Sequence, residues 1–336
     1  MLFENIGILD ENFNYKPDKY VLTFGDRIVY IGDKRPEGKA YEGNLGPVYD
    51  GRGKVLMPGF YNAHGHSPMS LLRGYGEGLP LDRWLNERIF PFEAQLDGDA
   101  VYWGTMLSMA ESARFGIVST TDMYMFVDDM VKAYMESRMK ANVSRAVTNF
   151  GHEKPENLQF YKDMVDVIKM YDGFGEGRIK ADAGLHAEYS NDDDTTLLVA
   201  ETARKYDVNM HVHVAETKFE TEGCRERHNG KSPVEYLDSM GIFDQNTTAA
   251  HCVWLTDEDR KILASKNVTV ASNPVSNMKL ASGFCNVPEL YKAGINVAIG
   301  TDGPSSNNSL NFFEEMKVFA LLGKAVSGDA AAMDPR

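Results

Sequence analysis

Histidines recur near the ends of apolar runs in this chain of 336 residues. His64 and His66 lie two residues apart after one such run, and His213 follows another. In an extended segment, residues two apart face the same way, so His64 and His66 can reach one metal ion together. Asp302 follows a further apolar run and offers a carboxylate oxygen. These four side chains would form an N/O metal site with room for water.

Two more residues of this pattern are suited to proton transfer. Glu216 lies three residues after His213, and His251 ends a run that includes two alanines. Taken singly, Glu216 is explained as a solvated loop carboxylate and His251 as a core histidine. Asp302 alone is equally explained as the cap of a following helix. Their joint occurrence at the ends of apolar runs favours a catalytic site.

Other histidines and the cysteines receive different interpretations. His211 faces the same way as His213 but lies deeper in its run, which indicates a core or supporting role. His228 lies in the polar segment 225–230 and is predicted to belong to an ordinary surface loop. The cysteines are odd in number and widely spaced, so we predict buried free thiols and neither a disulfide nor a cysteine zinc site. They are Cys224, Cys252 and Cys285.

Short apolar strands alternate with amphipathic helices from residue 55 onward. The predicted strands are residues 55–63, 117–122, 143–149, 179–186, 208–216, 247–252, 268–273 and 295–301. Helices are predicted at 99–115 and 195–206 between them. Eight such strands predict an α/β fold of the TIM type, a (β/α)8 barrel. Its active site forms at the carboxyl ends of the strands, where the candidate residues lie.

The first 55 residues have a different texture. Short β segments at 20–24 and 27–31 flank a turn at Gly25 and Asp26, which predicts hairpins. We therefore expect two domains, with N-terminal strands in residues 1–55 and the barrel in residues 56–336.

Composition excludes several classes of protein. The chain carries 35 Lys and Arg against 49 Asp and Glu, a formal net charge of −14. Nucleic acids are held by clustered cations, so a nucleic-acid partner is not expected. The N-terminus lacks the features of a secretory signal, and no window approaches the ~20 apolar residues of a membrane span. We expect a cytoplasmic protein without a membrane partner.

Five ordered motifs resemble the amidohydrolase superfamily. They lie at residues 57–74, 213–216, 249–252, 272–277 and 300–308. More narrowly, they resemble its branch of methylthioadenosine/S-adenosylhomocysteine deaminases and chlorohydrolases (ATZ/TRZ). The resemblance implies a small β-sandwich, formed partly by the N-terminal strands. Its C-terminal part is expected to be missing here, which would leave unpaired edges and favour aggregation.

The resemblance also implies a metal and its ligands. One divalent ion is expected, with zinc the first choice and iron the alternative. The ligands implied are His64, His66, His213 and Asp302. The fourth predicted strand ends at His186 without a lysine that carboxylation would turn into a metal bridge, which favours one metal over two.

The catalytic and substrate-side residues follow from the same resemblance. Hydroxide formed at the metal would attack the substrate, Asp302 would accept its proton, and His251 would orient the water. Glu216 would protonate the ring nitrogen next to the attacked carbon. On the substrate side the resemblance implies Trp84, Glu93 and His186, with Glu93 holding ribose hydroxyls. As an alternative, Trp84 and Glu93 would only pack within a helix.

The implied function is hydrolytic deamination of an amino-substituted purine nucleoside, with release of ammonia. Such an enzyme is a hydrolase of C–N bonds in cyclic amidines. Residues 148–153 lack the arginines of members that accept S-adenosylhomocysteine, so methylthioadenosine, 5′-deoxyadenosine or adenosine is expected. The alternatives are displacement of chloride or alkylamine from a triazine, and deamination of guanine, cytosine or a pterin. A catalytically silent scaffold would have lost metal ligands. A homo-oligomer is the usual state of relatives.

Overall fold

The computed structural model describes residues 1–37 and 45–334. Residues 38–44 and 335–336, which fall within the two predicted domains, lie outside this part. The chain divides into two compact units, Met1–Gly59 and Phe60–Met333. No helix within the described ranges is both long and apolar enough to cross a membrane.

The first unit contains a β-sheet with β1 in its interior. Its strands are β1 (Leu2–Leu9), β2 (Tyr15–Phe24), β3 (Arg27–Gly32), β4 (Val48–Asp50) and β5 (Val55–Leu56). β2 lies antiparallel between β1 and β3, whereas β4 and β5 run parallel to β1. Gly25 has a φ of +57° in the turn between β2 and β3, a conformation that glycine adopts without strain. The predicted hairpin with its turn at Gly25 and Asp26 is confirmed.

The second unit alternates strands with helices. Its strands are β6 (Phe60–Gly65), β7 (Ile117–Met123), β8 (Lys140–Ser144), β9 (Ala146–Val147), β10 (Ile179–Ala181), β11 (Ala183–Leu185), β12 (Met210–Val214), β13 (Thr247–His251), β14 (Thr269–Ser272) and β15 (Asn296–Ile299). Its helices are α1 (Leu81–Trp84), α2 (Phe90–Glu93), α3 (Gly98–Arg114), α4 (Val127–Ser137), α5 (Gln159–Tyr171), α6 (Phe174–Gly177), α7 (Asp193–Tyr206), α8 (Lys218–Arg227), α9 (Pro233–Ser239), α10 (Asp257–Ser265), α11 (Pro274–Lys279), α12 (Val287–Lys292), α13 (Pro304–Asn307) and α14 (Phe312–Ser327). A π-helical segment, Leu85–Ile89, joins α1 to α2, and short 3₁₀ helices occupy Ser67–Leu72, Pro155–Asn157, Glu188–Ser190 and Ile242–Asp244.

The strands of the second unit pair in parallel. One sheet has the order β10-β8-β7-β6, and the other has the order β15-β14-β13-β12-β11-β9. A parallel bridge pairs Gly65, at the end of β6, with Asp302, which follows β15. Val212, Val214, Ala249 and Val270 are fully buried, as expected for parallel strands covered on both faces. This arrangement directs the carboxyl ends of the strands toward a shared edge.

The predicted helices at 99–115 and 195–206 are confirmed as α3 and α7. Asp97 caps α3 by accepting a hydrogen bond from the N–H of Ala100 at 2.9 Å. Asp192 caps α7 in the same way, accepting from Thr195 at 2.9 Å. Each aspartate satisfies one of the N–H groups that the first turn of a helix leaves without an intrahelical partner.

The predicted strand at 55–63 is wrong as a single element. Val55 and Leu56 pair with β1 in the first unit, and pairing with β7 begins only at Phe60. Pro58 and Gly59 stand between the two pairings. Proline has no N–H for a ladder, and glycine has no side chain to pack, so the strand stops here.

Two other predicted strands are interrupted by one residue each. Arg145 separates β8 from β9 within 143–149, and Asp182 separates β10 from β11 within 179–186. At each interruption the chain passes from one sheet to the other. The three cysteines are free and buried, as predicted.

Candidate metal centre and active site

The carboxyl ends of three strands, β6, β12 and β15, bring the four predicted ligands together. His64 and His66 lie at the end of β6, and His213 lies in β12. Asp302 follows β15, and its N–H donates to the carbonyl of His64 at 3.0 Å. This backbone hydrogen bond joins the first and last candidate ligands, although they are far apart in sequence.

The Nε2 atoms of the histidines converge with one oxygen of the carboxylate. His66 Nε2 lies 3.4 Å from His213 Nε2 and 3.2 Å from Asp302 Oδ1. His64 Nε2 lies 3.3 Å from the same Oδ1. Ligand atoms of His64, His66 and His213 are all within 4.8 Å of one another, as are those of His64, His251 and Asp302. Such a group is able to hold a metal ion.

The Nδ1 atoms of His66 and His213 are held by the main chain, which turns Nε2 of each ring toward the cluster. His66 Nδ1 lies 2.6 Å from the carbonyl of Met123, and His213 Nδ1 lies 2.6 Å from the carbonyl of His186. A carbonyl only accepts, so Nδ1 of each ring carries hydrogen and Nε2 is the nitrogen left to bind a metal. His64 Nε2 is buried and makes no hydrogen bond. A cation is the group that satisfies such a set, so the residues fit a bound metal.

The charges at the centre depend on one another. Burial lowers the pKa of His64 to about 4 and that of His213 well below its usual value, so both rings are neutral. Burial alone would also lower the pKa of His66, but its hydrogen bond to Asp302 and the charge of that carboxylate raise it to about 9. Burial would raise the pKa of Asp302, but the neighbouring rings of His64 and His66 keep it well below its usual range. The anionic carboxylate thus attracts positive charge to this position.

Several residues at the strand ends have left-handed backbone. The φ angles are +49° at Ala215, +74° at His251, +48° at Cys252 and +60° at Asp302. Residues other than glycine adopt these angles at a cost of order 1 kcal/mol or more, and such strain gathers at functional sites. Here it turns Glu216, His251 and Asp302 out of their strands toward a common volume.

The predicted proton-transfer groups lie beside the metal-ligand cluster. Glu216 is buried, and its Oε2 lies 3.7 Å from His251 Nε2. Burial raises the pKa of Glu216, and the nearby His251 offsets this only in part. Two carboxyl groups whose pKa values are driven apart are suited to be acid and base in one reaction. Glu216 is suited to be the acid, and Asp302 the base.

A cavity of about 560 Å³ opens over the cluster. The predicted substrate-side residues Trp84, Glu93 and His186 all line it, together with His66, His213, Glu216, His251 and Asp302. Burial lowers the pKa of His186 to about 4, so its ring is neutral. The volume is in the range of small-molecule sites.

Residues in three places at the site were not predicted from the sequence. Tyr124 lines the cavity, and its hydroxyl interacts with the carboxyl of Glu93. Arg145, at the interruption between β8 and β9, also lines the cavity and lies 4.2 Å from the ring centre of Phe160. Ser276 and Asn277 contact the proton-transfer groups, although their motif at 272–277 was recognised only as a resemblance. A lone arginine among strand residues was the available signal for Arg145.

The other two histidines differ in how well they were predicted. His211 is buried, and its Nε2 lies 2.9 Å from His64 Nδ1, consistent with the supporting role. The prediction for His228 holds only in part: the residue lies in the turn after α8, but its side chain is packed and paired. Its ring stacks on Tyr236 at 3.7 Å, and its Nε2 lies 2.8 Å from Glu188 Oε1. Both oxygens of Glu188 are also paired with Arg227, so this cluster is an ion-pair network.

Comparisons with known proteins agree with this geometry. A model of the amidohydrolase family matches residues 55–336. A 5-methylthioadenosine/S-adenosylhomocysteine deaminase of Thermoanaerobacter pseudethanolicus is 40% identical over 335 residues, which are 99% of this chain and 76% of that protein. A 5′-deoxyadenosine deaminase of Methanocaldococcus jannaschii is 41% identical over 308 residues, or 91% of this chain and 72% of that protein.

Solved structures extend the comparison to three dimensions. An adenosine deaminase from Xanthomonas campestris with bound zinc has a TM-score of 0.85 at 30% identity, covering 99% of this chain and 76% of that one. An atrazine chlorohydrolase from Arthrobacter aurescens has a TM-score of 0.86 at 19% identity, covering 97% and 77%, and shows likeness of fold alone. The chain belongs to the amidohydrolase family and has its α/β fold.

Proposed function

We propose that the protein is a metal-dependent hydrolytic deaminase of an adenine nucleoside such as 5′-methylthioadenosine, 5′-deoxyadenosine or adenosine. The observation that carries this proposal is one cavity in which metal-competent Nε2 atoms, the buried carboxyl of Glu216 and the carboxyl of Glu93 all meet. The names of relatives at about 40% identity support the same substrate class. Water replaces the amino group: a C–O bond forms, the C–N bond breaks, and ammonia leaves.

The fold of the hydrolase domain is proposed to be a (β/α)8 barrel, with residues 56–336 as its extent. The bridge between Gly65 and Asp302 supports closure between β6 and the end of β15. The interruptions at Arg145 and Asp182 support the view that the two parallel sheets are parts of one barrel. Residues 1–55 are proposed to contribute strands to a small β-sandwich.

The metal is proposed to be zinc, with iron as the alternative, held by His64, His66, His213 and Asp302. Imidazole nitrogens and a carboxylate suit zinc, and a neighbour of the same fold contains zinc. When bound, the metal lowers the pKa of a water molecule so that it can attack at neutral pH.

The residues of the chain supply the proton transfers. Asp302 Oδ1 faces the cluster and takes the proton of the attacking water. His251 Nε2 points into the cavity and orients that water. Glu216, whose pKa is raised by burial, gives a proton to the ring nitrogen beside the attacked carbon. As the C–O bond forms, the electron pair of the C=N bond moves onto that nitrogen. The proton held by Asp302 then passes to the amino group, the C–N bond breaks as ammonia leaves, and the proton of the new hydroxyl returns to Glu216 as the carbonyl forms.

The cavity walls are proposed to recognise the nucleoside. Glu93 accepts hydrogen bonds from the ribose hydroxyls, Trp84 packs against the substrate, and His186 orients it. Arg145 adds a positive charge to the wall, which favours S-adenosylhomocysteine as a second candidate because its tail carries a carboxylate. This observation opposes the expectation of a small apolar 5′ group drawn from residues 148–153.

Ammonia release by the zinc-loaded protein tests the proposal. The panel is methylthioadenosine, 5′-deoxyadenosine, adenosine, S-adenosylhomocysteine, guanine, cytosine, a pterin and a chlorotriazine, with chloride also measured for the last. We expect turnover of an adenine nucleoside that is lost in His213→Ala and kept in His152→Ala, which changes an exposed histidine. Turnover of only a free base or the triazine would replace the proposal with that alternative.

A further inference from the structure

One segment of the second unit contacts all three proton-transfer residues. Ser276 Oγ, on α11, donates to Asp302 Oδ2 at 2.6 Å. Asn277 Oδ1 lies 2.8 Å from His251 Nδ1. Ser282 Oγ, in the turn after the helix, donates to Glu216 Oε1 at 3.1 Å. The N–H of Ser282 donates to the carbonyl of Asn277 at 2.8 Å, which ties this turn to α11.

Ser276, together with Ser306, determines which oxygen of Asp302 is left to face the histidine cluster. Asp302 Oδ2 accepts from Ser276 and also from Ser306 Oγ, at 2.8 Å. Oδ1 is the oxygen that faces His64 and His66. The hydroxyls are buried, so they hold the carboxylate in one orientation.

Asn277 determines the hydrogen on His251. Its carbonyl oxygen accepts only, so His251 Nδ1 carries hydrogen and Nε2 presents a lone pair toward Glu216 and the cavity. The amide nitrogen of Asn273 also lies near Nδ1, at 3.3 Å, but Asn277 Oδ1 is closer. A histidine in the other tautomer would turn a hydrogen toward the cavity and would not accept one from water.

We propose that residues 276–282 are a positioning segment, in which Ser276 aims Asp302 Oδ1 at the metal position and Asn277 fixes the His251 tautomer that faces the substrate. Ser282 holds Glu216 in the same frame. The inference rests on the proposed function for its catalytic meaning. The orientation of Asp302 and the tautomer of His251 can be measured without a substrate.

The two adjacent residues make the proposal testable, because they act through different groups. Ser276 acts through a proposed metal ligand, and hydrogen-bond partners of ligands affect metal affinity. Asn277 acts through His251, which is not among the proposed ligands. Substitution at 276 is therefore expected to change metal affinity, whereas substitution at 277 is expected to change catalysis without changing it.

The experiment compares Ser276→Ala, Asn277→Leu and Asn277→Asp with the wild type. Zinc affinity is measured by competition with a chromogenic chelator, and the His251 tautomer by ¹⁵N NMR of the histidine rings. We expect Ser276→Ala to weaken zinc binding by about tenfold or more. We expect Asn277→Leu to leave zinc affinity within about twofold, to move hydrogen away from His251 Nδ1, and to lower kcat by about 100-fold with a smaller change in KM. Asn277→Asp keeps an acceptor and should recover the Nδ1–H signal and much of kcat.

Each readout can overturn a part of the proposal. Unchanged zinc affinity in Ser276→Ala would remove the role of Ser276. An unchanged tautomer in Asn277→Leu, or equal losses in Asn277→Leu and Asn277→Asp, would show that Asn277 only fills space. Zinc binding and NMR need no substrate, so they decide the positioning roles even where the wild type turns over nothing in the panel. That last result would count against the proposed function alone.

Discussion

His66 and His213 direct Nε2 into the cavity because a backbone carbonyl holds each Nδ1. The orientation of these two rings is thus fixed by the main-chain carbonyls of Met123 and His186. His186 has two roles here, since its carbonyl orients His213 while its ring lines the cavity. A proposed metal ligand and a proposed substrate contact are therefore linked through His186, and a shift in one would displace the other.

Glu93 offers a test of nucleoside recognition at the residue scale. It is buried at the cavity wall, where a carboxylate can accept from both hydroxyls of a ribose. In Glu93→Gln we expect kcat/KM for adenosine to fall about 10- to 100-fold, because a hydrogen bond to a charged group contributes about 1.5–3 kcal/mol. For 2′,3′-dideoxyadenosine, which lacks both hydroxyls, the same substitution should change kcat/KM by less than about threefold.

The matched control is Glu87→Gln, in the neighbouring π-helical segment. Glu87 is paired with Arg83 at the surface, and such pairs contribute little. Glu87→Gln should leave kcat/KM unchanged for both adenosine and its dideoxy analogue. An equal loss for adenosine and its dideoxy analogue in Glu93→Gln would show that Glu93 supports the cavity wall and does not bind the ribose.

The residue types at strand ends made part of the site predictable. His64, His213 and Asp302 follow apolar runs, so their place at one edge follows from the strand pattern. Ser276 and Asn277 have no such signal, because their partners lie 26 residues away in sequence and their function depends on the tertiary fold. Tyr124 also has no sequence signal, because the surroundings of its hydroxyl are defined only by the tertiary fold.

At the scale of elements, the helix caps could be predicted from the sequence, whereas the strand interruptions could not. Aspartates before α3 and α7 mark helix starts through a local rule. Asp182 and Arg145 break strands for reasons that involve neighbouring strands. Asp182 is buried, with the side-chain amides of Asn142 and Asn209 at 3.4 and 3.5 Å. A charged group in this position carries a consequence for stability.

Asp182 should make the stability of the fold depend on pH. Burial raises the pKa of its carboxyl from 3.8 to about 7. Because the folded state favours the protonated carboxyl, Asp182 contributes to the free energy of unfolding. This contribution is complete below about pH 4 and is lost as the pH rises through about 7. We expect the Tm of the wild type to fall between pH 5 and pH 8 by more than that of Asp182→Asn, in thermal unfolding followed by circular dichroism. Asp166→Asn, at an exposed position of α5, should keep the wild-type slope. Equal slopes in Asp182→Asn and the wild type would contradict the assignment.

At the scale of the whole molecule, the proposed metal centre joins distant parts of the second unit. Its proposed ligands come from β6, β12 and the segment after β15, and His66 and His213 alone are 147 residues apart. An unfolded chain does not hold these groups together. A metal that binds the folded state alone stabilises it by mass action, about 2.7 kcal/mol at 100 times its Kd.

Removal of the metal should therefore lower the Tm of the holoprotein. We expect a chelator to lower it by about 5 °C or more, since about 1 kcal/mol corresponds to a few degrees in a domain of this size. The Tm of His213→Ala should respond far less to the chelator, because one ligand is already absent, whereas His152→Ala should respond as the wild type does. Metal content measured by mass spectrometry shows whether the ion has left. A wild-type protein that loses its zinc and keeps its Tm would place the metal outside this cluster of strand ends.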